Sequence, residues 1–354
     1  MAKLLLTGYF GAGNLGDDAI LEGFLEAIRG QGHTCVIMSG KPQDAPRLYG
    51  SPAIDRRDLA AFSREVKECD ALVFPGGSIF QDVTSTRSVM YYYQLVRKAK
   101  AAGKKVIMLG QGIGPLNSMI GRTLGKAAFK AADVLVVRDP DSVQTLSKLG
   151  VPNRAKLAAD MAFLLPTPDV DTVGEAFEVG GMRGVGIIAR PWGKSEDIVK
   201  LFSGLCALMM QRRFMPVLIE MDQAEDGGLI TQIEKFQGGK IPNLRNLPSA
   251  AHFQQRLMRL DGLISMRLHG GILASSVGIV PTMISYDPKV TAFNKLLGLS
   301  PALNLNGLTP ERIFEQYVST QKDREKQAEA MAIKVLGLAN EARKNITFMN
   351  EVLR

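Results

Sequence analysis

Short apolar runs alternate with helical patterns through the first half of the chain. The runs are Lys3–Thr7, Thr34–Ser39, Ala71–Phe74, Val106–Leu109 and Val134–Val137. They show little polar alternation, which predicts strands covered on both faces. Residues 18–30, 60–69, 88–102 and 119–132 carry helical patterns between them. Strands alternating with helices predict a parallel, doubly wound sheet.

A second series repeats the pattern. Residues 185–189, 216–220, 262–265 and 281–285 read as strands, and 197–213, 229–237, 250–260 and 270–277 as helices. The join carries Pro166, Pro168, Gly174, Gly180 and Gly181 and has no strong period, as a linker would. The organisation expected is an N-terminal Rossmann-like domain over 1–165, a linker over 166–184, a C-terminal Rossmann-like domain over 185–309, and tail helices over 310–354. The tail is rich in Ala, Glu, Lys and Gln, and packing back on the first domain is one course open to it. Two α/β domains facing a cleft is the architecture this pattern predicts.

Composition narrows the class. The chain has 354 residues, 46% of them hydrophobic and 22% charged, which excludes a disordered protein. Cys35, Cys69 and Cys206 are far apart and odd in number, so neither a disulfide framework nor a structural zinc site is expected. Residues 1–8 lack the layout of a signal peptide, and no apolar run reaches a membrane span. These features point to a cytoplasmic protein. The excess of 43 Lys+Arg over 35 Asp+Glu gives a formal charge of +8, with no basic block and no aromatic interleaving. A nucleic-acid partner is therefore not expected, whereas an anionic lipid surface or a small anion fits.

In parallel sheets ligands bind beyond the carboxyl ends of the strands. Gly11, Gly13 and Gly16 spell GxGxxG after the first strand. Asp17 and Asp18 follow where a pyrophosphate would sit, and the second strand ends without an acid for a ribose, so a dinucleotide is disfavoured. Asn14 and Asp17 instead suit the hydroxyls of a neutral ligand, or else a simple capped turn. Gly76-Gly77-Ser78 precedes Gln81, Asp82, Thr84, Ser85 and the run Tyr91-Tyr92-Tyr93. That segment fits either a sugar site or a polar loop ahead of core tyrosines. Gly110-Gln111-Gly112 is a third glycine-rich strand end.

The second half holds the sharper pattern. Arg267 and His269 end a strand, and Gly270-Gly271 open a helix whose N-terminus favours an anion. Lys289, Arg190 and Arg138 follow other strands. Four cations and a histidine at strand ends, with few acids beside them, describe a pocket for a small, highly charged anion. Trp192 either walls that pocket or joins the core. Asp222, Glu225 and Asp226 are the only loose candidates for a metal, so none is expected.

Read together, Gly8–Asp17, Gly76-Gly77-Ser78 with Gln81-Asp82, Gly110–Pro115, Arg138-Asp139, Met266–His269 and Ser285–Lys289 resemble the polysaccharide pyruvyltransferase family, in order and over most of the chain. The likeness is greatest to the bacterial branch that pyruvylates a lipid-linked cell-wall polysaccharide precursor. Gly270-Gly271 and the loop 220–228 depart from the family's pattern. The resemblance implies a GT-B-like glycosyltransferase architecture and transfer of pyruvate from phosphoenolpyruvate to two hydroxyls of one sugar, as a cyclic ketal, with no further cofactor. It implies His269 as acid or base with Arg138 and Lys289 as catalytic partners. Arg267, Arg138, Lys289, Arg190, Gly270 and Gly271 would bind the donor. Asn14, Asp17, Gln81 and Asp82 would bind a sugar or lipid-linked acceptor, with peripheral contact at the inner face of a membrane. A nucleotide-sugar glycosyltransferase of the same architecture is the competing expectation, with Asp222 or Asp287 holding a ribose.

Overall fold

The computed structural model describes residues 1–83, 85–151 and 154–354. Thr84, one of the hydroxyls noted above, lies outside them. The chain forms two compact units. The first comprises Met1–Ala12, Asp17–Leu165 and Leu338–Arg354; the second comprises Gly13–Gly16 and Pro166–Gly337.

The first unit is built on seven strands: β1 (Lys3–Leu6), β2 (Thr34–Ser39), β3 (Ala53–Asp55), β4 (Ala71–Phe74), β5 (Lys105–Gln111), β6 (Val134–Val137) and β7 (Lys156–Leu157). They lie in the order β3-β2-β1-β4-β5-β6-β7, and every pairing is parallel. β4 and β6 are buried at every position, as unalternating apolar runs require. The helix Arg87–Ala101 buries Val89, Tyr92, Val96 and Ala99, a three- and four-residue spacing that lays one stripe on the sheet. Tyr92 is therefore core, and Tyr91 donates its hydroxyl to the Arg56 carbonyl. The tyrosine run serves packing rather than a ligand.

The second unit carries β8 (Glu178–Val179), β9 (Met182–Ile188), β10 (Phe214–Ile219), β11 (Asn243–Leu244), β12 (Gly262–Ser265), β13 (Pro281–Ser285) and β14 (Leu303–Asn304). Its sheet runs β11-β10-β9-β12-β13-β14, all parallel, with β8 antiparallel on β9. The glycine-rich stretch 166–184 holds a 3-10 turn, β8 and the first residues of β9. Two helices form the tail, Pro310–Lys322 and Arg324–Leu353. Asn345 on the second is fully buried; it accepts from Gly110 N–H at 2.8 Å and donates to the Ala159 carbonyl at 3.0 Å. That satisfied polar group ties the last helix turns to the first unit.

Among the described residues no helix is long and apolar enough to cross a membrane. The three cysteines are buried and unpaired with one another.

Candidate active site

Each sheet reverses its winding once. In the first unit the chain moves outward from β1 to β3, then returns to β4 on the other side of β1. In the second it moves from β9 to β11, then returns to β12 beside β9. The carboxyl ends at these reversals, β1/β4 and β9/β12, are where open α/β sheets receive ligands.

In the second unit, β9, β12 and β13 are adjacent. They deliver Arg190, then Arg267 and His269, then Tyr286 and Lys289 to one edge of one sheet. Two short helices start there. Asp287 caps the helix Pro288–Leu297 by accepting from Lys289 N–H at 2.8 Å, and Pro288 occupies the first turn, where it costs no hydrogen bond. The helix Leu268–Ser276 starts after Arg267 with no side-chain cap bond. A helix N-terminus of this kind favours an anion.

The expectation of few acids at this edge is corrected by the structure. Asp226, fully buried, accepts from Arg267 Nε at 3.0 Å and Nη2 at 2.5 Å, and Glu225 accepts from Nη2 at 2.9 Å. Arg190 lies 3.3 Å from Glu225 and donates to the Tyr286 hydroxyl at 2.7 Å. The acids follow β10: Glu225 precedes and Asp226 opens the helix Asp226–Gln237. Burial works against the Arg267 charge, but Asp226, then Glu225 and Asp222, more than offset it and hold the guanidinium protonated. Arg267 Nη1 makes no hydrogen bond among the described residues. This leaves two oriented donors on a guanidinium fixed by its other nitrogens.

Gly270 and Gly271 are buried, and their role differs from that expected. A Cβ at Gly270 would lie 2.6 Å from Ile188 Cδ1 and Ser265 Oγ; one at Gly271 would lie 2.7 Å from Phe293 Cε1. Gly271 N–H bonds the Arg267 carbonyl within the helix. These glycines let the helix lie hard against the sheet, which explains why no larger residue stands after His269.

The segment Gly13–Gly16 belongs with this edge. Leu15 N–H donates to the Met221 carbonyl, Gln223 N–H to Gly13, and Asn14 Nδ2 to Asp222 at 3.2 Å. Asn14 Oδ1 accepts from Gly16 N–H at 2.9 Å and so caps the helix Leu15–Ala27. Gly16 lies on the His269 ring: a Cβ there would sit 2.5 Å from Nδ1. The sequence placed Asn14 with an acceptor site in the first domain, whereas the structure puts it in the second unit, bonded to Asp222. The signal was present in the GxGxxG spacing, whose third glycine serves close approach to an imidazole rather than to a pyrophosphate.

In the first unit, Arg138 follows β6. Its Nη1 bonds Asp160 at 2.5 Å, its Nη2 bonds Ser78 at 2.8 Å, and its Nε lies 3.8 Å from Asp139. Burial opposes its charge, but Asp160 and Asp139 more than offset it. Arg138 thus knits the ends of β4 and β6 together within the first unit, whereas Arg190, Arg267 and Lys289 belong to the second. Asp82 is likewise engaged: it accepts from Asn117 N–H at 2.6 Å, Ser118 N–H at 2.8 Å and Ser118 Oγ at 2.6 Å. Burial would raise its pKa, but those donors hold the carboxyl below its usual range. It clasps the loop after β5 instead of presenting oxygens to a sugar. Gln81 accepts from Val83 N–H. Asp17 is half-buried and lies on the Gly77 backbone, where a Cβ would come within 2.9 Å of Oδ1. Gln111 belongs to β5 rather than to a loop and is buried, donating to Leu109 and Phe74 carbonyls.

Sequence reasoning missed Asp18. It is buried, accepts from Gly11 N–H at 2.8 Å, and burial pushes its carboxyl up to about 8, with Glu22 and Asp17 adding to the rise and Gly11 and Lys41 opposing it. In the unfolded chain an Asp titrates near 3.9. The folded form therefore holds a proton that the unfolded form releases, and stability falls as pH rises from about 4 towards about 8. Asp18→Asn removes that slope. Its unfolding free energy from urea titration is expected to exceed that of the parent at pH 8, by at least about 1 kcal/mol, and to match it near pH 4.

Among the described residues no group of three or more His, Cys, Asp or Glu is arranged to hold a metal ion. Glu225 and Asp226 answer arginines instead.

The fold agrees with what the chain resembles. HepE of Anabaena, solved with UDP-glucose, superposes with a TM-score of 0.62 at 12% identity, covering 99% of this chain and 98% of that one. A UDP-GlcNAc 2-epimerase from Neisseria meningitidis, bound to UDP-GlcNAc, gives 0.65 at 13% identity, covering 99% and 100%. These likenesses concern the fold, which is of GT-B type. The amylovoran biosynthesis protein AmsJ of Erwinia amylovora is 23% identical over 272 residues, 68% of this chain and 62% of AmsJ, so the match spans less than two thirds of that relative. The pattern of the polysaccharide pyruvyl transferase family matches residues 14–288, from the asparagine that caps the first helix to the proline that opens the helix of Lys289. By that match over most of its length, the chain belongs to the polysaccharide pyruvyl transferase family.

Proposed function

We propose that the protein transfers pyruvate from phosphoenolpyruvate to two hydroxyls of one sugar in a polysaccharide precursor, forming a cyclic ketal and releasing phosphate. The observation that carries this reading is that β9, β12 and β13 lie side by side, so that Arg267, His269 and Lys289 follow adjacent strands of one sheet and Arg267 opens the helix Leu268–Ser276. Phosphoenolpyruvate brings a phosphate and a carboxylate on neighbouring atoms. Arg267 Nη1, Lys289 and the positive end of the helix Leu268–Ser276 supply groups of the right charge for them.

Ketal formation adds a proton to the methylene carbon, joins two sugar oxygens to the adjacent carbon and breaks its bond to the phosphate oxygen. Of the two hydroxyl protons, one balances that new C–H bond and the other leaves with phosphate. His269 is the group at this edge suited to move them. Arg267 and Lys289 stabilise the departing phosphate. Arg138 acts in the first unit as a positioning residue, fixing Ser78 and Asp160, while Asp17 and Gln81 remain the acceptor contacts there. The acceptor is a lipid-linked saccharide met at an anionic membrane surface, to which the net charge of +8 draws the protein.

The fold neighbours named with UDP-sugars favour one rival, a nucleotide-sugar glycosyltransferase. Both acids available for a ribose are occupied, however. Asp287 caps a helix, and Asp222 accepts from Ala224 N–H, Glu225 N–H and Asn14. Thermal unfolding separates the readings. Phosphoenolpyruvate at a hundred times its Kd is expected to stabilise by about 2.7 kcal/mol, a rise of several degrees in Tm. A rise with UDP-glucose or UDP-GlcNAc and none with phosphoenolpyruvate overturns the proposal.

A further inference from the structure

We propose that Trp192 and Tyr286 form an aromatic shelf that binds the pyranose ring of the acceptor saccharide. The inference rests on the pyruvyl-transfer reading and names the second unit's share in acceptor binding. Trp192 is the only tryptophan of the chain and is 42% exposed. It is not a core residue. Its ring lies 4.7 Å from the Tyr286 ring at 52°, so the pair presents a joint apolar surface.

The shelf is fixed from below. Arg190 donates to the Tyr286 hydroxyl at 2.7 Å, and its guanidinium lies 5.1 Å from the Tyr286 ring centre. Glu225 holds Arg190 at 3.3 Å and Arg267 at 2.9 Å. One continuous set of contacts therefore joins the aromatic pair to the donor-binding arginine. Trp192 follows β9 and Tyr286 follows β13, the two strands that flank β12 and its His269.

The chemistry selects the ligand. Phosphoenolpyruvate is small and anionic and has no apolar face to lay on an indole. A pyranose has one face of C–H bonds ringed by hydroxyls, which matches an aromatic surface edged by the Trp192 N–H and the Tyr286 oxygen. Two acceptor hydroxyls must also reach the donor carbon, so the sugar ring has to lie against whatever adjoins the donor residues. The shelf is that surface.

With a single tryptophan, intrinsic emission reads the shelf directly. The probes are phosphoenolpyruvate, UMP and a panel of octyl glycosides of hexoses and N-acetylhexosamines. At least one glycoside is expected to change Trp192 emission. With that glycoside as acceptor, Trp192→Ala raises its KM about tenfold, leaves the KM for phosphoenolpyruvate within about twofold, and Trp192→Phe recovers most of the loss. Emission unmoved by every glycoside, emission moved by UMP instead, or an unchanged acceptor KM in Trp192→Ala overturns the shelf. The two readings fail separately. Ketal formation with a normal acceptor KM in Trp192→Ala retires the shelf alone. Glycoside-dependent emission with no ketal from phosphoenolpyruvate retires the pyruvyl reading alone.

Discussion

Asp226→Ala is expected to destabilise the second unit by about 3–5 kcal/mol, the cost of removing one partner of a buried ion pair. Asp226 is fully buried and receives four kinds of donor: the N–H groups of Met221 and Asp222 at 3.0 and 2.9 Å, and Arg267 Nε and Nη2. Alanine leaves two backbone donors and a buried guanidinium unanswered. Deprotonation offers no escape, because arginine stays charged in proteins. Glu225 bonds Arg267 as well, but it is already shared with Arg190, and Asp222 acts on the guanidinium more weakly. Asp226→Asn keeps an acceptor for the backbone and loses only the charge, so its cost falls between those of alanine and the parent. Urea unfolding followed by Trp192 emission reads this unit specifically, which matters because a chain of two units need not unfold in one step. A shift below about 1 kcal/mol for alanine would show that Arg267 is held by Glu225 and solvent instead. The same variant should lose affinity for an anionic donor, since Arg267 Nη1 is aimed only while the other nitrogens are held.

The parallel strands were legible because burial on both faces leaves an unbroken apolar run, as in β4, β6 and β12. The edge strands β3, β7, β11 and β14 were not. They are two or three residues long and partly exposed, too short to carry any period. Strand-end glycines and cations stood out for a similar reason: topology forces ligand-facing residues to follow apolar runs. What sequence order hides is which strand end meets which. Asp226 and Arg267 are 41 residues apart and Asn14 and Asp222 are 208 apart. A reader of the sequence therefore counts cations without their acids. The partners of Asp82 and Arg138 are hidden in the same way. A polar residue after a strand looks free to bind a ligand until the loop it clasps is seen. Asp18 reads in the sequence only as a charge that repels a pyrophosphate, because an Asp in a first helical turn is ordinarily a solvated partner of the dipole, and only the fold reveals that it is buried.

His269→Ala is expected to lower kcat by about 10²–10⁴, the usual worth of a positioned acid or base, with the KM for phosphoenolpyruvate changed only a few-fold. His269 is half-buried, so alanine opens little core and the thermal midpoint should hold within a few degrees. That separates chemistry from folding. His269→Gln keeps hydrogen-bonding capacity and removes proton transfer at neutral pH; it should be nearly as slow. If His269 carries the proton, one limb of the pH–rate profile disappears in both variants. A second variant tests placement without touching the imidazole. Gly16→Ala puts a Cβ 2.5 Å from Nδ1, so the ring must move. A displacement of about 1 Å in a reacting group costs on the order of 10² in rate. Gly16→Ala should therefore slow the reaction while His269 remains, keep its pH limb, and leave donor binding largely intact. Near-parental kcat in His269→Ala would remove the histidine from the reaction. A slow Gly16→Ala beside a fast His269→Ala would assign the site's sensitivity to the Gly13–Gly16 segment itself, whose Asn14 answers Asp222 in the loop that also holds Arg267.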